Sequence, residues 1–294
     1  MTTGPEASVG GPTVLRMLLG SQLRKLREAN GVTREAAGWE IRASESKISR
    51  MELGRVGFKE RDVADLLTLY GVNDKSEREA LLSLARQANT QGWWQRFSDV
   101  LPSWFQAYLG LETSAGMIRT YEVQFVPGLL QSREYARAVV MIGHGAAGLD
   151  EIDRRVDVRM ARQQLLTRPG APHLWAVLDE AVLRRPIGGR TVMRTQIAAL
   201  IDATKLSNVT IQVVPFSAGG HAAAGGAFTI LRFPDAELPD VIYTEQLTSA
   251  LYLDKRDDVD QYAAAMERLC VEAAPPDRTL ALLERVLHEY DSEP

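Results

Sequence analysis

Apolar residues near the amino terminus recur at helical spacing, through Leu15, Leu18, Leu19, Leu23 and Leu26. Asn30-Gly31 stops this run, and Thr33 is placed to cap a second helix whose first turn carries Glu35. A break at Arg42-Ala43 precedes a third helix over 44–53, which Gly54 ends. Further helical patterns cover 59–70 and 75–91. Beyond Gly92 the period changes. Short β-type runs at 118–123, 174–178, 209–215, 228–233, 241–243 and 250–253 are interspersed with helical patterns at 132–142, 150–167, 193–203, 259–273 and 279–290. The strand–helix–strand order over 174–214 predicts a parallel pair, while the later runs are joined too briefly for crossovers and predict antiparallel pairing. The expected fold class is two domains: an all-α amino-terminal domain, then an α/β or α+β domain with a mixed sheet. The expected boundaries are a disordered tail over 1–12, the helical domain over 13–91, an aromatic-rich junction over 92–110, and a regulatory or dimerisation domain over 111–294.

Charge sharpens this division. The whole chain carries −4, yet residues 13–61 hold 11 Lys and Arg against 6 Asp and Glu, a local +5 that leaves −9 for the remainder. A basic module on an acidic body suits a nucleic-acid-binding domain joined to a domain that does not bind nucleic acid. The single cysteine, Cys270, excludes an internal disulfide and a cysteine-based zinc cluster, and its apolar helical setting reads as a buried structural thiol. No stretch approaches the roughly 18 apolar residues of a membrane span, and residues 1–12 lack the pattern of a signal peptide, so a cytoplasmic location is expected.

The informative stretch is TREAAGWEIRASESKISRMELGR, residues 33–55. Two short helices flank a tight turn, the arrangement that sets a second helix into a DNA major groove. At helical spacing, Glu45, Ser46, Ser49 and Arg50 fall within an arc of about 140°, with Ile48 and Met51 opposite. The apolar side is expected to pack on the preceding helix through Ala36, Ala37 and Ile41. The polar side has base-reading chemistry. Arg50 suits guanine O6 and N7, Glu45 suits cytosine N4, and Ser46 and Ser49 suit either donors or acceptors. Arg34, Lys47, Arg55 and Lys59 lie at helix ends, where phosphate contacts are made.

The segment LRKLREANGVTREAAGWEIRASESKISRMELGR resembles the Cro/phage-repressor type of helix-turn-helix, also called the xenobiotic response element family. The resemblance implies base contacts from Glu45, Ser46 and Arg50 and a phosphate contact from Arg34. Two positions depart from it. Arg42 stands where the turn normally has Gly, which asks a non-Gly residue to take a positive φ. Gly38 lies inside the second helix at a cost of about 1 kcal/mol relative to Ala. Further on, YEVQFVPGLLQSREYARAV (121–139), RMARQQLL (159–166), LWAVLDEAVLRRPIGG (174–189) and the run 208–233 resemble the uncharacterised domain behind this helix-turn-helix in many actinomycete regulators. These are often antitoxin-like, and the resemblance implies a small acidic partner protein.

Other features point to no sharper chemistry. Asp179-Glu180 ends a β-type run, where adjacent residues face opposite ways, so a capping Asp and an ion-pairing Glu are expected rather than a catalytic pair. The histidines 144, 173, 221 and 288 lack metal-ligand spacing, and neither a metal nor a cofactor is expected. GGHAAAGG (219–226) lacks the Lys-Ser/Thr of a phosphate loop and reads as a mobile connection or lid. VPGLLQ (126–131) reads equally as a buried turn or an interface. The aromatics 93, 94, 97, 104, 105 and 108 read as packing between the domains, or else as a ligand or partner surface. Leu280, Leu283, Leu287 and Tyr290, broadened by Leu282 and Val286, form a stripe that either lines a two-fold interface or caps the domain's own core. The expected function is a homodimeric, non-enzymatic regulator of a palindromic double-stranded DNA operator, controlled through its second domain by a small partner protein. The alternative is a repressor gated by a small molecule.

Overall fold

The computed structural model describes residues 11–236 and 238–292. They form two compact units: one holds the chain up to Gln95 with Gln106–Ser114 and Pro234–Leu238, the other Arg96–Phe105, Ala115–Phe233 and Pro239 onward. Of the expected disordered tail, residues 1–10 lie outside the described residues, and Pro12 already opens a helix.

The first unit contains α1 (Pro12–Ala29), α2 (Arg34–Glu40), α3 (Glu45–Glu52), α4 (Glu60–Leu69) and α5 (Lys75–Ala88). The hydroxyl of Thr33 accepts from the Ala36 N–H at 3.1 Å, and that of Ser44 from the Lys47 N–H at 3.2 Å, so both helices of the central motif begin on a capping side chain. The first four helices end alike. The N–H groups of Val32, Ala43, Arg55 and Val72 return to the carbonyls of Arg27, Gly38, Arg50 and Leu67. Glycine supplies the left-handed residue after α1, α3 and α4; after α2 it is Arg42, at φ 53°, the one non-glycine residue with positive φ among those described. Leu19 and Leu23 of α1, Ala37 and Ile41 of the α2 segment, Ile48 and Met51 of α3, and Leu66 and Leu67 of α4 meet in one buried core.

A helix also covers Ser103–Ser114 (α6), where the pattern suggested only an aromatic junction. Tyr108, Leu109, Gly110, Leu111 and Glu112 are buried in succession, so α6 has no polar face to give a helical period.

The second unit is built on a six-stranded mixed sheet of β1 (Met117–Glu122), β2 (His173–Asp179), β3 (Val209–Val214), β4 (Phe228–Arg232), β5 (Val241–Glu245) and β6 (Ala250–Leu253). The order is β3-β2-β1-β4-β5-β6, parallel among β1, β2 and β3 and antiparallel from β1 through β6. Both expected pairings are therefore present. Six helices complete the unit: α7 (Arg133–His144), α8 (Leu149–Gln163), α9 (Ala181–Arg184), α10 (Arg190–Ala203), α11 (Arg256–Glu272) and α12 (Pro276–Ser292). Met266 and Leu269 of α11 join Tyr121, Val177, Ile230 and Ile242 in the core on one sheet face. At the β3 edge, the Ala274 N–H donates to the Val213 carbonyl at 2.8 Å and the Thr279 hydroxyl accepts from the Val213 N–H at 3.2 Å.

The stripe on α12 is buried within the second unit itself. Thr279, Leu282, Leu283 and Val286 are buried, α12 packs on α10 and β3, and the Tyr290 hydroxyl donates to the Leu183 carbonyl at 3.1 Å. Leu282 and Val286, read from sequence as broadening the stripe, lie at its buried centre. The VPGLLQ turn is likewise buried, through Val126, Leu129, Leu130 and Gln131.

Candidate nucleic-acid interface

Helix α3 is divided lengthwise. Glu45, Ser46 and Arg50 are exposed and Ser49 is half-buried, whereas Ile48, Met51 and Glu52 are buried. The four residues with base-reading chemistry therefore share one outward face. Arg50 Nε donates to the Ser46 carbonyl at 3.3 Å, and among the described residues its terminal nitrogens make no hydrogen bond. On α2 the expected packing is met by Ala37 and Ile41, while Ala36 faces solvent. Gly38 has a steric reason. A Cβ there would stand 2.7 Å from the Ala43 carbonyl oxygen, inside the turn that sets α3 against α2. The conformational cost of the glycine is offset by a close approach that no side chain allows.

The four cations at the helix ends differ in their commitments. Arg55 and Lys59 are exposed and have no ion-pair partner among the described residues. Lys47 Nζ lies 2.9 Å from Oδ2 of the buried Asp62. Arg34 Nε lies 3.0 Å from Oε2 of Glu52. Glu52 is the site residue that the sequence reading missed. Its carboxylate, 3% exposed, also takes Arg27 Nε at 2.5 Å, and that hydrogen bond holds the Arg27 pKa above its ordinary value despite burial. The signal was present: Glu52 falls on the apolar side of α3 beside Ile48, where an acidic residue needs a partner. Trp39, 85% exposed on α2, was also passed over.

In the second unit, Asp179 Oδ1 accepts from the Ala181 N–H at 2.8 Å and Glu180 pairs with Arg184, the capping and ion-pairing roles expected of them. His221, in the glycine-rich stretch, lies with Nε2 2.9 Å from the Tyr121 hydroxyl. Cys270 is half-buried and its thiol is pushed up by burial, while Arg119 Nη2 lies 3.9 Å from Sγ. No group of His, Cys, Asp and Glu able to hold a metal occurs among the described residues, and no helix there is long and apolar enough to cross a membrane.

Over residues 105–285 the chain matches the family described as a domain of unknown function (DUF5753), and over residues 18–81 the family described as a helix-turn-helix domain. No curated protein and no solved structure matches it.

Proposed function

The chain belongs to the DUF5753 family and carries a helix-turn-helix that makes it a DNA-binding regulator, and on that premise we propose that it reads a palindromic operator as a homodimer. The observation that carries this reading is the lengthwise division of α3. Its buried side fixes the helix, and Glu45, Ser46, Ser49 and Arg50 remain outward in a row fit for base edges. Arg55 and Lys59, unpaired and exposed just beyond that helix, supply phosphate contacts. One such helix reads only a few base pairs, so specificity calls for two half-sites about one helical turn apart. The test is the mass of the complex on a selected operator. Two chains per duplex support the proposal, and one chain per duplex at saturation contradicts it.

The second unit carries the control input in this reading. The resemblance to antitoxin-like regulators speaks for a partner protein.

A further inference from the structure

Helix α8 carries two different long faces. Ile152 and Val156 are buried with Ala136 and Val140 of α7 in a small core of their own. A second stripe repeats at i, i+3, i+7 and i+10 through Arg154, Asp157, Ala161 and, in the turn after the helix, Gln164. Together with Met160 this stripe lines an open cleft of about 510 Å³, a volume within the range of small-ligand sites. The rest of the lining is Arg96 and Phe97, the last two residues of the short 3-10 helix Trp93–Phe97.

Phe97 is buried, and two guanidinium groups stand over its ring. Cζ of Arg96 lies 4.8 Å and Cζ of Arg154 lies 5.6 Å from the ring centroid. Arg154 is committed. Its Nη2 donates to the Arg96 carbonyl at 2.8 Å and to Asp99 Oδ1 at 2.6 Å. Asp157 is answered as well, because Arg133 Nη2 donates to its Oδ1 at 2.7 Å. Arg96 is different. Among the described residues its guanidinium has neither a hydrogen bond nor an ion pair, and it rests on the Phe97 ring. Of the charges that line the cleft, one positive charge is therefore left without a counter-ion. A second donor is also idle: Arg154 Nε is buried and has no hydrogen-bond partner among the described residues.

Stacking on a buried ring restrains Arg96 without using its N–H groups, so less ordering remains to be done when an anion arrives. The planar fork of a guanidinium matches the two oxygens of a carboxylate. The floor supplied by Phe97, Met160 and Ala161 is apolar, and a phenyl ring and a thioether both favour a flat aromatic partner.

We infer that this cleft binds a small aromatic carboxylate, with the carboxylate on the Arg96 guanidinium and the ring on Phe97, Met160 and Ala161. A single negative charge is called for, because one cation is open and Asp157 stands in the same lining. The inference goes beyond the operator reading and does not rest on it.

The experiment is titration of the full chain, without DNA, with benzoate, salicylate, phenylacetate and indole-3-acetate, followed by saturation-transfer NMR and calorimetry. Hexanoate keeps the charge without the ring, benzamide keeps the ring without the charge, and benzylammonium reverses the charge. At least one aromatic acid binds roughly tenfold or more tightly than each of these controls, and Arg96→Gln weakens that binding by roughly tenfold or more. Arg96 is exposed, so this substitution leaves the fold intact. Ala161→Leu, which fills the floor and leaves the charge, weakens binding as well. Absence of binding by all of these acids, equal binding by hexanoate or benzamide, or indifference to Arg96→Gln or to Ala161→Leu overturns the inference. Arg96 lies outside the helix-turn-helix over 18–81, so a failure here leaves the operator reading standing, and a failure of operator selection leaves this site standing.

Discussion

Arg34 Nε and Glu52 Oε2 stand 3.0 Å apart, tying the first residue of α2 to the last residue of α3. Arg27 of α1 grips the same carboxylate, so one buried charge joins three helices and fixes the angle between the two that form the motif. Removing one partner of a buried pair leaves the others uncompensated. Glu52→Gln is therefore expected to destabilise the first unit by about 3–5 kcal/mol in urea unfolding. Arg34→Ala, which leaves the Arg27 pair in place, should cost less. A loss below about 1 kcal/mol for Glu52→Gln would show that the triad does not hold the motif together.

The same pairing divides the cations proposed to face DNA. Lys59→Ala should weaken binding to all sequences alike and flatten the slope of log affinity against log salt by about one unit. Arg34→Ala should change that slope less, because Glu52 already answers part of its charge. Equal slope changes for the two variants would contradict this ordering.

Arg42 holds φ 53° in the turn between α2 and α3, a conformation that costs an L-residue roughly 1–2 kcal/mol and glycine little. Arg42→Gly is thus expected to raise the unfolding midpoint, by about 1 kcal/mol in stability. Destabilisation instead would mean that the exposed arginine side chain contributes more than the backbone strain removes.

Much of this was legible along the chain. The sheet strands and the principal helices of the second unit follow period and turn signals, and the positive φ at Arg42 followed from a turn position that normally holds glycine. What escaped shares a physical cause: pairing and register act across the sequence. Nothing local marks Glu52 as the partner of Arg27 and Arg34, or Asp62 as that of Lys47. Arg96 and Arg154 meet on the Phe97 ring only because α8 lies beside that segment. Helix α6 was hidden because it is buried on successive residues, and the α12 stripe could not reveal which side faced the core.

For α12 the structure sets the expected outcome of truncation. Leu283 and Val286 are fully buried, so deleting residues 278–294 should abolish cooperative unfolding of the second unit rather than yield a folded monomer. Leu283→Ala, a milder change, should cost about 2–5 kcal/mol. A well-folded truncated chain would place the stripe outside the core.

The central claim is that the outward face of α3 reads bases, and the most direct measurement is binding-site selection with the wild-type chain and with Arg50→Ala. The wild type should enrich a palindrome whose half-sites lie about one helical turn apart. Arg50→Ala should lose preference at one base pair in each half-site, with affinity for the original operator reduced by about 1–3 kcal/mol. Recovery of the same motif at full strength by Arg50→Ala, or the absence of any enriched sequence for the wild type, would contradict the account.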